Sequence, residues 1–414
     1  MKTKCFISIS LLISCLFVGT SIAQNQGWPQ WRGPNRDGVS NETGLLSQWP
    51  EGGPKRLWIN EKCGLGYSGF SVVGDRLYTM GLEDDKQFVV CLNALDGAEV
   101  WRSPIGADFD NDWGDGPRST PTIDNGQVFA LSADGVLSCH NADDGKELWI
   151  AKLTEFGGKV PDWGYSESVL VDGDKVICTP GGKNGAILAL NRGTGEKIWQ
   201  TTDLTTPAHY SSIISASING EQQYVQLLMS EVAGINPVDG KVLWKVDFPG
   251  NVAVIPTPIA HENSVYATSG YGAGSQRVDI SGTTATVAWA NKTMKNHHGG
   301  VILVDGHLFG YSDGPGWLCQ DWKTGESVWS ESEKLGKGAI GYADGRLYCV
   351  AEESGEVALI EPSTEGWKEH GRFKLAPQTS RRKPAGRIWV HPVIADGRLY
   401  LRDQEIVYCY DIKK

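Results

Sequence analysis

The sequence predicts an all-β protein, an eight-bladed β-propeller of four-stranded antiparallel blades. Two spacings and one division carry that prediction. A glycine stands four residues ahead of a tryptophan at Gly97/Trp101, Gly145/Trp149, Gly195/Trp199, Gly240/Trp244 and Gly325/Trp329, each time after Asp or Thr. Ser281-Gly282 with Trp289 and Glu365-Gly366 with Trp367 are weaker copies. A second series of turns runs in step: Gly74-Asp75, Asn125-Gly126, Asp172-Gly173, Asn219-Gly220, Glu262-Asn263, Asp305-Gly306, Asp344-Gly345 and Asp396-Gly397. Most are Asn-Gly or Asp-Gly pairs, which accept the positive φ of a two-residue hairpin, and they sit between alternating apolar runs such as Arg346-Leu347-Tyr348. Residues 55 to 414 shared among eight such turns give about 45 residues per unit, the length of a four-stranded blade.

Composition agrees. The chain has 414 residues with 52 glycines, 16 tryptophans, 40% apolar residues and 21% charged residues. That is enough apolar material for a large core, which excludes disorder. The glycines lack the period of three that collagen needs, and their spread with β-branched residues excludes a helix bundle.

In chain order, Lys2 and Lys4, the apolar run Phe6 to Val18, and Ser21-Ile22-Ala23 predict a signal peptide over residues 1–23. Leu12-Ile13-Ser14-Cys15 offers an alternative, a lipoprotein anchored at Cys15. The protein is thus expected to be periplasmic or secreted, with no transmembrane segment. Removing residues 1–23 takes two lysines and no acid, leaving 36 basic against 49 acidic residues, a net charge of −13. An acidic protein makes a poor partner for nucleic acid. Residues 24–53 form an N-terminal extension and residues 54–414 the propeller. The last unit ends after Ile406 to Asp411 without an outer tryptophan strand, and Pro54 to Trp58 reads like that missing strand. The N-terminal strand is therefore expected to complete the eighth blade, so that no sheet edge is left open in the ring.

Seven cysteines remain beyond the predicted leader. Cys91, Cys139, Cys319 and Cys409 align with Ala189 and Gly234, and Cys178 and Cys349 align with Ala130, Ala267 and Gly310. Positions that accept Cys, Ala and Gly alike are small core positions, so free buried thiols are expected.

The strand, Asn/Asp, Thr/Asp-Gly and Trp pattern resembles the tryptophan-docking repeat of the pyrroloquinoline quinone (PQQ)-like eight-bladed propellers, and does so over the whole mature chain. Trp28-Pro29-Gln30-Trp31-Arg32-Gly33-Pro34-Asn35 also resembles the start of many secreted bacterial members. The resemblance implies that each outer tryptophan packs on a turn of a neighbouring blade. It offers two functions: a non-catalytic scaffold like the BamB lipoproteins, or a dehydrogenase that holds PQQ and calcium in its funnel. The chain lacks the adjacent cysteine pair and the Cys-x-x-Cys-His haem motif of many such enzymes, and is shorter than they are.

In a propeller, residues just before each inner strand gather at one mouth of the central channel. Counting back from the hairpins places Tyr67 there from the first unit, Arg118 from the second, and Trp163, Tyr165 and Glu167 from the third. His209 and Tyr210 follow from the fourth, and Asn296, His297 and His298 from the sixth. Lys337 comes from the seventh, Trp389 and His391 from the eighth. These residues either bind a ligand or partner, or simply satisfy the strand ends of a polar channel. No metal is assigned to His297, His298 and His391, because neighbouring strand residues point to opposite faces. His140, His261, His307 and His370 read as surface residues. The acidic run Asp108 to Trp113 departs from a calcium loop, with Trp113 where a glycine is required, and reads as a solvated connection.

The expected function is an exported, non-catalytic, monomeric scaffold or binding protein that uses the funnel mouth for a protein or carbohydrate partner and holds no cofactor. The alternative is a PQQ- and calcium-dependent alcohol or sugar dehydrogenase. There, Glu167, Asn296 and a channel Asp would stand near the calcium, with Arg118 or Lys337 on the quinone.

Overall fold

The structure, a computed structural model, describes residues 27–414. The leader, Cys5 and Cys15 lie outside the described residues. Among those described, eight four-stranded antiparallel sheets follow one another around a ring, and the one helical element is a single 3-10 turn at Leu153–Phe156. Blade 1 is built from Ser71–Val73, Arg76–Glu83, Lys86–Asn93 and Glu99–Ala107. The next six repeat that order from inner to outer strand. Blade 8 takes Val393–Ala395, Arg398–Asp403 and Ile406–Asp411 from the C-terminus and Lys55–Asn60 as its outer strand. Trp58 lies opposite Cys409 in that pairing, so the ring closes as the sequence predicts.

The hairpins follow the turn chemistry. Asn125 and Gly126 have φ of 44° and 72°, and Asp305 and Gly306 of 46° and 75°. These are the paired positive values of a turn whose twist matches that of its strands.

The tryptophans clamp the blades to one another. Trp58, Trp101, Trp149, Trp199, Trp289 and Trp329 donate their indole N–H to Ala94, Ala142, Arg192, Pro237, Trp322 and Ser363. Each acceptor is a backbone carbonyl in the following blade, 2.7 to 3.2 Å away. Two tryptophans depart from the rule. Trp244 bonds Gln223 Oε1 in its own blade; Gly274–Ser281 and Thr284–Asn291 of blade 5 are joined by a two-residue hairpin whose Gly282, φ 59°, has no ring packed on it. Trp367 bonds Glu369 and packs on Trp317 rather than on blade 8. At the seam between blades 7 and 8 the N-terminal segment inserts Trp49, edge-on to Phe373 at 5.0 Å.

All seven cysteines of this region are free and buried, Cys63 included. His140 corrects a surface reading: it is fully buried, with its ring nitrogens at Gly145 O and Ser138 Oγ.

Residues 27–40, read from sequence only as an extension, fill the central channel. Trp28 bridges Val72 of blade 1, and Ile123 N–H of blade 2 donates to Pro29 O. Arg36 donates to Ser168 and Val169 O at the start of blade 3's inner strand, and Arg32 to Val301 O of blade 6. Val39–Ser40 then adds a parallel strand to the inner strand Gly338–Ala343 of blade 7. Contacts with the inner strands of five blades put this segment on the axis. It leaves at the hairpin end, where Glu42 accepts from Asp396 and Gly397 N–H and Leu45 N–H donates to Asp344. From there it runs outward to become the outer strand of blade 8.

Candidate functional site

The loops that precede the inner strands form a funnel at the opposite mouth. Because the N-terminal segment blocks the channel below them, the funnel is blind, a cavity of about 320 Å³. Trp31 and Arg32 belong to its lining and come from that plug. Trp31 donates to Thr257 Oγ1 at 2.9 Å and rests against His391, ring centres 4.7 Å apart. Arg32 has φ of 59°, a left-handed turn that brings its guanidinium back to Asp37 and Val301 carbonyls.

Eight of the thirteen residues predicted at the mouth line this cavity: Tyr67, Arg118, Trp163, Tyr210, His297, His298, Trp389 and His391. One wall is an aromatic run in which Trp389 stands 4.9 Å from Tyr67, 6.3 Å from Trp113 and 4.6 Å from His298. Trp163 and Tyr210 meet at 5.7 Å. His297 and His298 lie in a loop, not a strand, so both reach the cavity with rings 3.8 Å apart. The opposite-face expectation for this pair therefore fails. Arg118 donates to Gly114 O and Gly116 O and lies over the Phe109 ring at 4.7 Å.

The other five residues have different places. Tyr165 is buried in the core between blades 2 and 3, its hydroxyl donating to Pro180 O. Glu167 is fully buried and accepts from Thr179 N–H, Thr179 Oγ1–H and Gln226. The cation beside it is Arg36 of the plug. Asn296 closes its own loop through Gly300 and Tyr311. His209 packs edge-on to Tyr210 outside the lining. Lys337 bridges Asp313 at 2.7 Å and His297 Nδ1 at 2.8 Å behind the wall. Trp31, Arg32, Trp113, Tyr271, Ala253, Ile255, Pro256 and Thr257, together with Ser166, Ser212 and Gly300, none of which the counting rule placed, complete the cavity. For Trp31 the available signal was a tryptophan that no repeat position explains.

The electrostatics are one-sided. Burial lowers Arg32 and Arg118 to about 10, so both remain cationic at neutral pH. Burial, then Lys337, takes His297 to about 4, and burial, then Arg32, takes His391 to about 3. His298 is held well below its ordinary value by burial and by His297. These imidazoles are neutral at pH 7. Among the described residues, no Asp or Glu lines the cavity. Three acids outside the lining are engaged with neighbours, Asp115 with Lys383, Asp313 with Lys337, and Glu352 with the Trp389 indole, while Asp37 of the plug faces Arg32. A calcium ion asks for converging carboxylates and carbonyl oxygens. Glu167 and Asn296 spend their oxygens on Thr179, Gln226 and the backbone.

An eight-bladed propeller of docked tryptophans, with a single funnel stoppered by its own N-terminal segment, is the class that fold and site define. A family model described as outer membrane protein assembly factor BamB matches residues 21–161 and 85–331. The chain belongs to this family of PQQ-like propellers. It is 27% identical over 113 residues to outer membrane protein assembly factor BamB of Escherichia coli, a match spanning 26% of this chain and about a quarter (27%) of that protein. The Shewanella oneidensis protein of the same name is 23% identical over 327 residues, covering 74% of this chain and 75% of its own. Among solved structures, BamB from Moraxella catarrhalis superposes with a TM-score of 0.57 at 15% identity, over 81% of this chain and 94% of that one. The computationally designed protein Ika8 gives 0.59 at 12% identity, over 86% and 100%. These superpositions speak for the fold.

Proposed function

We propose that this protein is an exported, non-catalytic binding scaffold that holds a partner, protein or carbohydrate, at the mouth of its closed funnel. The blind, aromatic-lined cavity carries this reading. A funnel floored by the chain's own Trp31 and Arg32 is a receptor shape, concave and mostly apolar with a few fixed polar groups. Membership in a family named for an assembly factor supports a protein partner. The catalytic reading lacks support at its central point, since the carboxylate and amide it relies on are bonded into the blade loops.

The test is to add PQQ and calcium to the purified protein and assay it with alcohols and aldoses and a dye acceptor. The expected outcome is no dye reduction above the protein-free rate. Turnover that disappears on Glu167→Gln would overturn the scaffold reading and restore the dehydrogenase.

A further inference from the structure

The cavity holds more recognition chemistry than a passive surface needs, and the unused atoms say what kind. His391 Nε2 lies 2.8 Å from His298 O, so it carries the proton and donates. The other nitrogen, Nδ1, is then a bare acceptor, and it is buried without a partner among the described residues. In His297 the roles reverse. The Lys337 ammonium, 2.8 Å away, can only donate to Nδ1, so Nε2 carries the proton. That N–H is likewise buried and unpartnered. Arg32, only 3% exposed, leaves its Nε–H unpartnered beneath them. A buried polar atom without a partner costs about 1–3 kcal/mol, so four on one cavity lining, these three and His298 Nδ1, mark where a ligand's polar groups belong. The lining thus offers both donors and an acceptor, two guanidinium charges, no carboxylate, and tryptophan faces.

We propose that the closed funnel binds an anionic sugar: a puckered hexose ring whose carboxylate or sulfate sits toward Arg118 and Arg32 and whose C–H faces rest on the tryptophans. Guanidinium groups select an anion; Asp37 stands beside Arg32 and Asp115 near Arg118, but neither carboxylate enters the lining among the described residues. Imidazoles with one free donor and one free acceptor match hydroxyl groups, which both donate and accept. The aromatic rings meet at tilts of 36° to 58° at Trp113/Trp389, Tyr67/Trp389, Trp163/Tyr210 and Trp31/His391. His298 and Trp389 do stack, at 24° with centres 4.6 Å apart, leaving no slot between them, and the four pairs above are tilted, which suits a thick saturated ring better than a flat one. A cavity of about 320 Å³ admits one or two such rings. The inference rests on the funnel being a binding site rather than a catalytic one.

Calorimetric titration with D-glucuronate, glucose 6-sulfate and glucose tests it. The expected result is that at least one of the two anions binds ten-fold or more tighter than glucose and weakens as salt rises. Arg118→Gln should remove that preference while leaving glucose binding, which does not need the charge, unchanged, and Trp163→Ala should weaken all sugars together. Glucuronate binding without sulfate binding assigns the anion as a carboxylate, and the reverse assigns it as a sulfate ester. If neither anion binds, or both bind no better than glucose, the inference is overturned. The scaffold reading would stand in that case, since it falls only to quinone-dependent turnover.

Discussion

Trp149 and Trp163 stand fourteen residues apart in the sequence and serve opposite ends of the molecule. Trp149, on the outer strand Glu147–Lys152 of blade 2, is 8% exposed; its indole N–H is fixed by Arg192 O and its ring covers Gly195 of blade 3. Trp163, in the loop that follows, is half-buried, touches Tyr210 at a 57° tilt, and turns toward an open cavity. The rim ring is held by a seam that exists without any ligand, whereas the funnel ring keeps surface that nothing in the fold covers. Burial spent on folding cannot be spent again on binding, so the two sets should separate cleanly under mutation.

The largest difference is expected there. Trp149→Ala empties a packed seam and strands the Arg192 carbonyl, a loss of about 3–5 kcal/mol by the usual cost of large-to-small core changes. Trp163→Ala removes a ring with few fixed contacts and should cost less than about 1 kcal/mol. Chemical denaturation of the two variants in parallel decides the matter. Equal losses would mean that the funnel aromatics are part of the core after all.

The same contrast explains what could be read from the residues alone. Blades repeat, so each Gly-to-Trp spacing and each Asn-Gly or Asp-Gly turn was confirmed by its copies, and ring closure followed from the incomplete last unit. Where the repeat lapses, the expectations for Trp244 and Trp367 lapse with it. The plug was invisible for a physical reason. Arg32 and Arg36 look like polar residues of a surface turn, yet each is 3% exposed and binds backbone carbonyls from 132 to 269 residues away. Backbone acceptors have no sequence signature. The funnel was half legible: counting from the hairpins found the right loops. It could not tell which side chains face inward, so Tyr165, Glu167 and Asn296 were grouped with residues that line the cavity.

Glu167 gives the next largest effect, on the side of the plug away from the cavity. Burial raises its carboxyl to about 7, opposed by its bonds from Thr179 and the charge of Arg36. A carboxyl raised from 4.5 in the folded state favours folding fully below that value, and the contribution is lost as pH rises through 7. The full difference is on the order of 3 kcal/mol at about 1.4 kcal/mol per unit. His297 and His391 carry the opposite sign: lowered from 6.5 to about 4 and about 3, they favour folding above pH 6.5 and lose that contribution as pH falls through those values. Glu167→Gln should therefore flatten the decline in thermal midpoint between pH 5 and pH 8 and leave the acid limb intact. A variant with an unchanged alkaline slope would show that burial does not raise the Glu167 carboxyl.

The smallest test compares two glycines of blade 4 with nearly the same backbone, Gly220 at φ 78° and Gly240 at φ 74°. Gly220 turns the inner hairpin into solvent, and a Cβ there would meet nothing within 4 Å. Gly240 lies beneath the docked Trp199 ring, which an added Cβ would strike. Both alanine variants share the strain of a left-handed residue, about 1 kcal/mol. Only Gly240→Ala must also lift the indole off its seam, which overpacking data put at about 1–3 kcal/mol more. Subtracting one variant from the other cancels the backbone term and leaves the docking contact of a single tryptophan. If Gly240→Ala proves no worse than Gly220→Ala, the glycine is there for the turn alone and the ring above it moves freely.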